Sequence, residues 1–256
     1  AGCTNGFMRS NMFYAAVPTD ITEVEKRAYY NIVSHTVYNT QSVYLVERPI
    51  AAAIGERLPV FSAHPHMIVD MGGGATEISV IQMGGIMVSK MIREGGESIN
   101  RRIMARIKDE HHLLIGEKTA EMLKLSLGSA LPDKKMTVTV YGRDLLTGLP
   151  SSAEIDGTLV YKAMKRYLTQ VINAIGDMIE TIPPELTEEI MKLGITFTGG
   201  TSQVPKLAPL FGAVLQMPVH FSAEPHESTI KGLGIIMEKS NEYQKVAFSL
   251  KDASFN

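Results

Sequence analysis

Two periods of apolar residues alternate along this chain, one of two residues and one near four, and the switches between them mark out strands and helices. Residues 12–17 form a short apolar run closed by Pro18, the pattern of a buried strand. Thr22 and Glu25 have the spacing of a capping box, and Val24, Ala28 and Ile32 then mark one apolar stripe of a helix reaching about residue 35. Gln41 to Glu47 reads as a strand with Val43 and Leu45 on one face, and Pro49 opens a short helix, Ile50 to Ile54, that Gly55 ends. The opening order is therefore β-α-β-α. After a loop containing Pro59 and Pro65, the run Met67 to Asp70 reads as a strand, Gly72-Gly73-Gly74 as a turn, and Thr76 to Ile81 as a second strand. Met83-Gly84-Gly85 then turns the chain into a third strand ending at Ile92.

Gly95-Gly96 leads into a helix in which Ile99, Ile103 and Ile107 repeat every four residues, with Arg101, Arg102, Arg106 and Lys108 spread around it as a solvated face. A helix from about Lys118 to Leu127 and a strand from Met136 to Tyr141 follow. A loop-rich passage with one more strand leads to the most regular helix, Leu159 to about Ile179, which Pro183-Pro184 stop. Ile195 to Thr198 is a short strand, Gly199-Gly200 a tight turn, and Ser202 a candidate N-cap for a helix that Pro205 enters. Val219 to Phe221, a helix from about Ser228 to Glu238 and a polar tail complete the pattern. Interleaved strands and helices give the α/β class.

Composition narrows the function classes. A net charge of −2 with no lysine or arginine run argues against a nucleic-acid groove. One cysteine, Cys3, excludes an internal disulfide framework and suits a reducing cytosol. The first residues lack both the charged start and the apolar segment of a secretory signal, and no apolar run reaches the ~20 residues of a membrane span. His64, His66, His111 and His112 have no third ligand in register for a metal.

The chemistry concentrates in glycine turns that follow strands. Glycine lets backbone N–H groups converge on an anion, and Asp70 at a strand end can hold Mg²⁺ through water; a plain hairpin turn is the alternative. Ligands of open α/β sheets sit beyond the carboxyl ends of strands, so Gly72-Gly73-Gly74 and Gly199-Gly200 can face one cleft and share a nucleotide. Glu121 and Lys124, three residues apart on one helix, read on their own as an ordinary surface ion pair.

An ordered set of segments carries a resemblance: Val46-Glu-Arg-Pro49-Ile-Ala-Ala-Ala-Ile-Gly55, Ile68-Val-Asp70-Met-Gly-Gly-Gly-Ala-Thr-Glu77, Leu114-Ile-Gly-Glu-Lys-Thr-Ala-Glu121, Gly142-Arg-Asp-Leu-Leu-Thr-Gly-Leu-Pro150, Pro183-Pro-Glu-Leu186 and Thr196-Phe-Thr-Gly-Gly200. From about Val17 to Met237 the chain resembles bacterial actin homologues of the MreB type. Heat-shock chaperones and sugar kinases share the fold, but the Arg-Asp-Leu-x-Thr-Gly-Leu-Pro and Pro-Pro-Glu-Leu segments are particular to the MreB group. The resemblance implies an actin-like (ribonuclease H-like) fold binding ATP or ADP with Mg²⁺ between two lobes. It implies a cytoplasmic filament subunit, self-associating under the inner face of the cell membrane, that works with cell-wall synthesis or other membrane-associated shape proteins; a scaffold on the same fold without nucleotide is the alternative. On that map Asp70 is the metal-side acid, Gly72, Gly73, Gly74, Ala75 and Thr76 form the second phosphate loop, and Glu121 and Lys124 contact the ribose and adenine edge. Gly199, Gly200 and Thr201 form the adenosine motif, and Lys231 to Gly234 resembles a connecting helix. The implied domains are a partial first lobe (1–66), a second-lobe core (67–112 and 156–226), an inserted subdomain (113–155) and a connecting helix with the polar tail (227–256).

The departures from the family pattern bear on hydrolysis. Relatives carry a water-orienting glutamate before the proline matching Pro49, and here that residue is Arg48, which has no lone pair with which to polarise water. Ala75 stands where a threonine is usual near the same water, and Thr201 replaces a third glycine, where a branched side chain resists positive φ and crowds the nucleotide. The expectation is weak or absent hydrolysis. Nothing before Val17 supplies the family's first phosphate loop, Asp-x-Gly-Thr, so the first lobe is expected to be incomplete and its open edge to favour self-association. Gly6-Phe7-Met8-Arg9 falls where relatives have an apolar membrane-touching loop, a candidate for peripheral membrane contact, and a disordered terminus is the alternative reading of these residues.

Overall fold

The computed structural model describes residues 11–36, 40–132 and 136–249; Cys3 and the Gly6–Arg9 segment lie outside them. In chain order the elements are β1 (Asn11–Val17), α1 (Glu23–Thr36), β2 (Thr40–Glu47), α2 (Arg48–Gly55), β3 (His66–Met71), β4 (Thr76–Gln82), β5 (Gly85–Ile92), α3 (Gly96–His111), β6 (Leu113–Leu114), α4 (Glu117–Leu127), β7 (Thr137–Asp144), β8 (Pro150–Asp156), α5 (Gly157–Thr181), α6 (Pro184–Leu193), β9 (Ile195–Thr198), α7 (Leu207–Leu215), β10 (Val219–Phe221), α8 (Ser228–Glu238) and β11 (Ala247–Phe248). They build three sheets, in the orders β1-β2-β11, β10-β9-β3-β4-β5 and β6-β7-β8.

Most of these elements follow the pattern of the sequence. The capping box forms: Glu25 accepts from the Thr22 N–H at 2.7 Å, and the Glu25 N–H donates to the Thr22 hydroxyl at 3.2 Å. Val43 and Leu45 are buried together on one face of β2. Met83 and Gly84 both take positive φ, the twist that suits a tight hairpin between β4 and β5. Asp156 caps α5 by accepting from the Leu159 N–H at 2.9 Å.

Five local expectations need correction. On α1 the Val24, Ala28 and Ile32 stripe faces outward, with Val24 76% and Ile32 64% exposed, while Tyr30 and Val33 pack with Ile21 against the sheet. That helix carries two apolar stripes, and periodicity does not say which one the sheet will meet. Arg102 is not simply part of a solvated face, because its guanidinium donates to Glu94 and is mostly covered. Pro183-Pro184 end α5 and also open a helix, α6, in which the second proline occupies the first turn. Ser202 does not cap α7; it lies in a 3₁₀ turn, Gly200–Gln203, and donates to the Gly199 carbonyl at 2.7 Å. The polar tail contains a strand, with Ala247 opposite Val46 and Phe248 opposite Leu45, too short to leave a periodic signal.

Two β-α-β-α units have the same plan. In β1-α1-β2-α2 and in β9-α7-β10-α8 a parallel strand pair is followed by a helix, and the two final helices cross each other. The crossing is reciprocal: a Cβ on Gly55 would lie well under 3.0 Å from the Ser228 carbonyl, and one on Gly232 equally close to that of Ala51. Each helix thus places its glycine four residues after the small residue that meets its partner's glycine. Ile50, Ile54, Leu233 and Ile236 surround the crossing together with Ile68 and Ile81 of the five-stranded sheet, so one core joins both units. The opposite face of that sheet is covered by α3 and α5, whose Ile99, Ile103, Val160 and Tyr167 belong to the largest core.

Candidate functional site

The β3–β4 hairpin presents its glycine turn at the carboxyl end of β3. The Gly72 N–H closes the turn on the Ala75 carbonyl at 2.9 Å. Its outer carbonyls are then taken: Gly72 accepts from the Gly96 N–H at 3.1 Å and from the Thr201 hydroxyl at 2.8 Å, and Gly73 accepts from the Glu97 N–H at 2.9 Å. In a trans peptide the C=O and the following N–H point in opposite directions. Fixing these two carbonyls therefore aims the N–H groups of Gly73 and Gly74 away from α3, and among the described residues neither donates to a protein acceptor. Two adjacent free amides at a glycine turn make an anion-binding concavity.

Thr201 behaves differently from its expected role. Gly199 takes the positive φ, at 83°, whereas Thr201 sits in the 3₁₀ turn without strain and is buried, its hydroxyl bonding the second glycine turn to the first. Thr76 does not face the turn's open side. It is fully buried, donating to the Glu94 carbonyl at 3.1 Å and sharing a hydrogen bond with the Tyr167 hydroxyl at 2.6 Å. Burial drives the Tyr167 hydroxyl far above its usual range, so it stays protonated as a partner.

Glu121 and Lys124 are more than a surface pair. The Lys124 side chain is only 10% exposed; its ammonium donates to Glu121 at 2.6 Å and to the Gly96 carbonyl at 3.2 Å, while Asn100 donates to the same Glu121 oxygen at 2.6 Å. Burial pushes Glu121 up, but the bonds from Lys124 and Asn100 and the lysine charge outweigh it and hold the carboxyl below its ordinary range. These groups tie α4 to the start of α3. Between them and the second glycine turn lies a cavity of about 570 Å³ whose walls include Gly73, Gly96, Glu121, Lys124, Gly200 and Thr201. Its size and its mix of apolar wall and few polar groups suit a nucleoside-sized ligand.

A second cluster lies on the other side of the turn. Glu77 is Asp70's partner across the β3–β4 ladder and is buried; one of its oxygens accepts from the Thr19 N–H at 2.9 Å and from the Thr19 hydroxyl at 2.5 Å, and the other is sealed without a partner. Thr19 follows β1, and Arg48 follows β2, which runs in register with it, so the ends of both sheets meet here. Asp70 and Gly199 are packed so closely that a Cβ on the glycine would overlap the carboxylate. Burial raises both carboxyls above their ordinary range, and the nearby Arg48 charge pulls each partway back. Of these two acids only Asp70, which is partly exposed, is placed to hold a divalent ion through water, because the second oxygen of Glu77 is closed off.

A carboxyl raised in the folded state contributes stability that is present below its unfolded pKa and lost as pH rises through the folded one. Glu77 and Asp70 therefore make the protein less stable as pH climbs from the usual carboxylate range toward neutrality. Glu77→Gln keeps an acceptor for Thr19 and removes one titration, so the slope of stability against pH over that window should flatten. Urea unfolding at stepped pH values reads that slope; an unchanged slope would exclude Glu77 as its source.

The structure thus gathers Gly73, Glu121, Lys124, Gly200 and Thr201 around one cavity and places Asp70 and Arg48 in the adjoining cluster, with Gly72, Gly74 and Ala75 in the turn between. Glu77, Thr19, Asn100 and Gly95 also belong to the site, and no motif in the sequence marks them for it. Asn100 does carry a signal, as a polar residue beside Ile99 in a buried stripe, whereas the pattern at Gly95 signals only a helix start.

Residues 3–245 match the family model described as MreB/Mbl protein. The cell shape-determining protein Mbl of Bacillus subtilis (strain 168) is 33% identical over 229 residues, 89% of this chain and 68% of that protein. The cell shape-determining protein MreB of Escherichia coli (strain K12) is 35% identical over 237 residues, with 92% and 68% covered. Among solved structures, MreB5 of Spiroplasma citri bound to AMPPNP superimposes with a TM-score of 0.85 at 28% identity, over 91% of this chain and 69% of that one. The MamK double helical filament, at 18% identity and a TM-score of 0.76, shares the fold over 92% of this chain and 71% of its own. With matching segments, matching architecture and a family match over nearly its whole length, the chain belongs to the MreB/Mbl family and has the actin-like fold.

Proposed function

We propose that the protein is a nucleotide-binding subunit of a bacterial cell-shape cytoskeleton, that it takes ATP or ADP in the cavity between the two glycine turns, and that it hydrolyses ATP slowly. The observation that carries this reading is the assembly of Gly73, Glu121, Lys124, Gly200 and Thr201, from three distant stretches of sequence, around one cavity of nucleoside size beside two free amides. The base and ribose lie against Glu121 and Lys124, and the phosphates reach the Gly73 and Gly74 amides. A similar protein, MreB5 of Spiroplasma citri, has been solved both with AMPPNP and with ADP, which supports the ligand class. The relatives named as cell shape-determining support the biological role, with self-association into filaments as its physical form. Among the described residues no helix is long and apolar enough to cross a membrane.

Slow hydrolysis follows from two side chains. The guanidinium of Arg48 offers five donors and no acceptor, and the methyl of Ala75 holds no water. Loss of a positioned base costs on the order of 10²–10⁴-fold in rate. Calorimetric titration with ATP and ADP, alongside a phosphate-release assay, tests both parts. Binding that weakens about tenfold or more in Lys124→Ala, with phosphate release far below that of a relative carrying the glutamate, is the expected result. Absence of binding would leave a scaffold without nucleotide, and brisk release would overturn the roles given to Arg48 and Ala75.

A further inference from the structure

We infer that Gln203 selects the base at the nucleotide site, presenting a carbonyl oxygen that accepts from an exocyclic amino group and so takes adenine in preference to guanine or hypoxanthine. The inference rests on the nucleotide-site reading and concerns only the outer end of that cavity. The inner end is polar: a Cβ on Gly96 would lie 3.0 Å from both the Lys124 ammonium and the Thr201 hydroxyl, so these two covered groups meet beside the glycine turns. Further out the walls are apolar, with Leu125 from α4 and Val204 and Pro205 from the stretch after the 3₁₀ turn. The Ala130 N–H donates to the Pro205 carbonyl at 2.8 Å and ties the end of α4 to that stretch. A flat base suits such walls, with its polar edge toward whatever group lies there. Glu97 stands over Gly73, where its carboxylate would be 3.6 Å from an added Cβ, and Glu121 and Lys124 are bonded to each other. Among the described residues lining the cavity, Gln203 is the polar side chain left for the outer end.

Which of its two amide ends Gln203 offers is set by His226. The Gln203 amide nitrogen and His226 Nδ1 are 3.2 Å apart. The Glu227 carboxylate lies 3.6 Å from the other ring nitrogen, Nε2, and its charge favours the tautomer that carries the proton there. Nδ1 is then an acceptor. An amide meets an acceptor only with its NH₂, so the carbonyl oxygen of Gln203 is turned away from His226, and among the described residues it has no partner. Lys231 holds the Glu227 carboxylate at 3.1 Å, so the acid that sets the tautomer is itself anchored. A glutamine amide free to rotate reads a 6-amino or a 6-oxo purine alike, whereas one held by a histidine reads the amino form. Adenine carries a donor at that ring position; guanine and hypoxanthine carry an acceptor, which would set two oxygen lone pairs against each other.

The test uses the full chain in mildly alkaline buffer, which keeps imidazole side chains uncharged. ATP, GTP and ITP are titrated calorimetrically against the wild type, Gln203→Met and His226→Ala. ITP isolates the 6-position, because its base lacks the 2-amino group of guanine. The wild type should bind ATP about tenfold or more tightly than GTP and ITP, the loss expected when an accepted bond becomes an opposed pair of acceptors. Gln203→Met keeps the length of the side chain and removes the acceptor, so the preference should shrink to about twofold or less through weaker ATP binding. His226→Ala leaves the glutamine in place but free to turn, so the preference should narrow because GTP and ITP bind better. A wild type that takes ITP as tightly as ATP, or either variant keeping the full preference, overturns the inference and leaves the nucleotide site intact. If none of the three nucleotides binds, the nucleotide-site reading falls and this inference with it. Gln203 and His226 are both exposed, and a ratio of affinities within one protein does not depend on how stable that protein is.

Discussion

Gly232→Ala should destabilise the protein by about 3 kcal/mol or more, because no rearrangement of side chains can make room for the added methyl. A Cβ at Gly232 would fall far inside contact distance of the Ala51 carbonyl oxygen and carbon and close to the Gly55 amide, all of them backbone atoms. The two helices must separate along their crossing, and that opens the core formed by Ile50, Ile54, Leu233 and Ile236. Gly234, two residues further along α8, provides the control. A Cβ there meets nothing within 4 Å, so Gly234→Ala should be neutral or stabilising by about 0.5–1 kcal/mol through helix propensity alone. Urea unfolding of both variants measures the contrast. Equal stabilities would mean that the helices are not in backbone contact.

The second large effect is expected on ligand binding, from Gly95→Ala. Gly95 precedes α3 with an extended φ of −163°, which any residue adopts, so its role is one of space. A Cβ would overlap the carbonyl oxygens of both Gly72 and Gly73. The glycine turn would have to move off α3, losing the bonds from Gly96, Glu97 and Thr201 that orient it. Once those carbonyls are released, the Gly73 and Gly74 amides no longer point together, and nucleotide affinity should fall tenfold or more. Global stability should fall by only about 1–3 kcal/mol, since the hydrophobic core beneath α3 is untouched. Gly74→Ala, with nothing within 4 Å of the new methyl, should fold as the wild type does. A Gly95→Ala protein with wild-type affinity would show that the turn does not hold the phosphates.

What the sequence made legible depended on how local the cause was. The β3 strand, its glycine turn and β4 were readable because the apolar run, the turn residues and the alternation all lie within sixteen residues of one another, and the fold adds only their packing. Glu121 and Lys124 were readable as a pair, but not as one whose lysine is covered. Their further partners, Gly96 and Asn100, belong to a different helix, and no spacing within α4 reports that. Thr201 shows a local rule giving way. A branched residue in a glycine motif reads as strain, yet the 3₁₀ turn lets Gly199 carry the positive φ and leaves the hydroxyl of Thr201 free to bond Gly72. On α1, two stripes competed and the choice lay with the sheet; β11 is held by backbone pairing to β2, to which side-chain patterns are blind.

The paired glycines where α2 and α8 cross also have a mechanical meaning. Bare backbone against bare backbone leaves no interlocking side chains at that point to resist turning, while the surrounding isoleucines and leucines resist separation. The bond between Thr19 and Glu77 is a second tether between the first sheet and the five-stranded one. The Arg93–Asp20 pair and the bonds from Ser222 and Ser228 to Glu56 add further ties, so turning at the crossing is limited by polar bonds rather than by packed side chains.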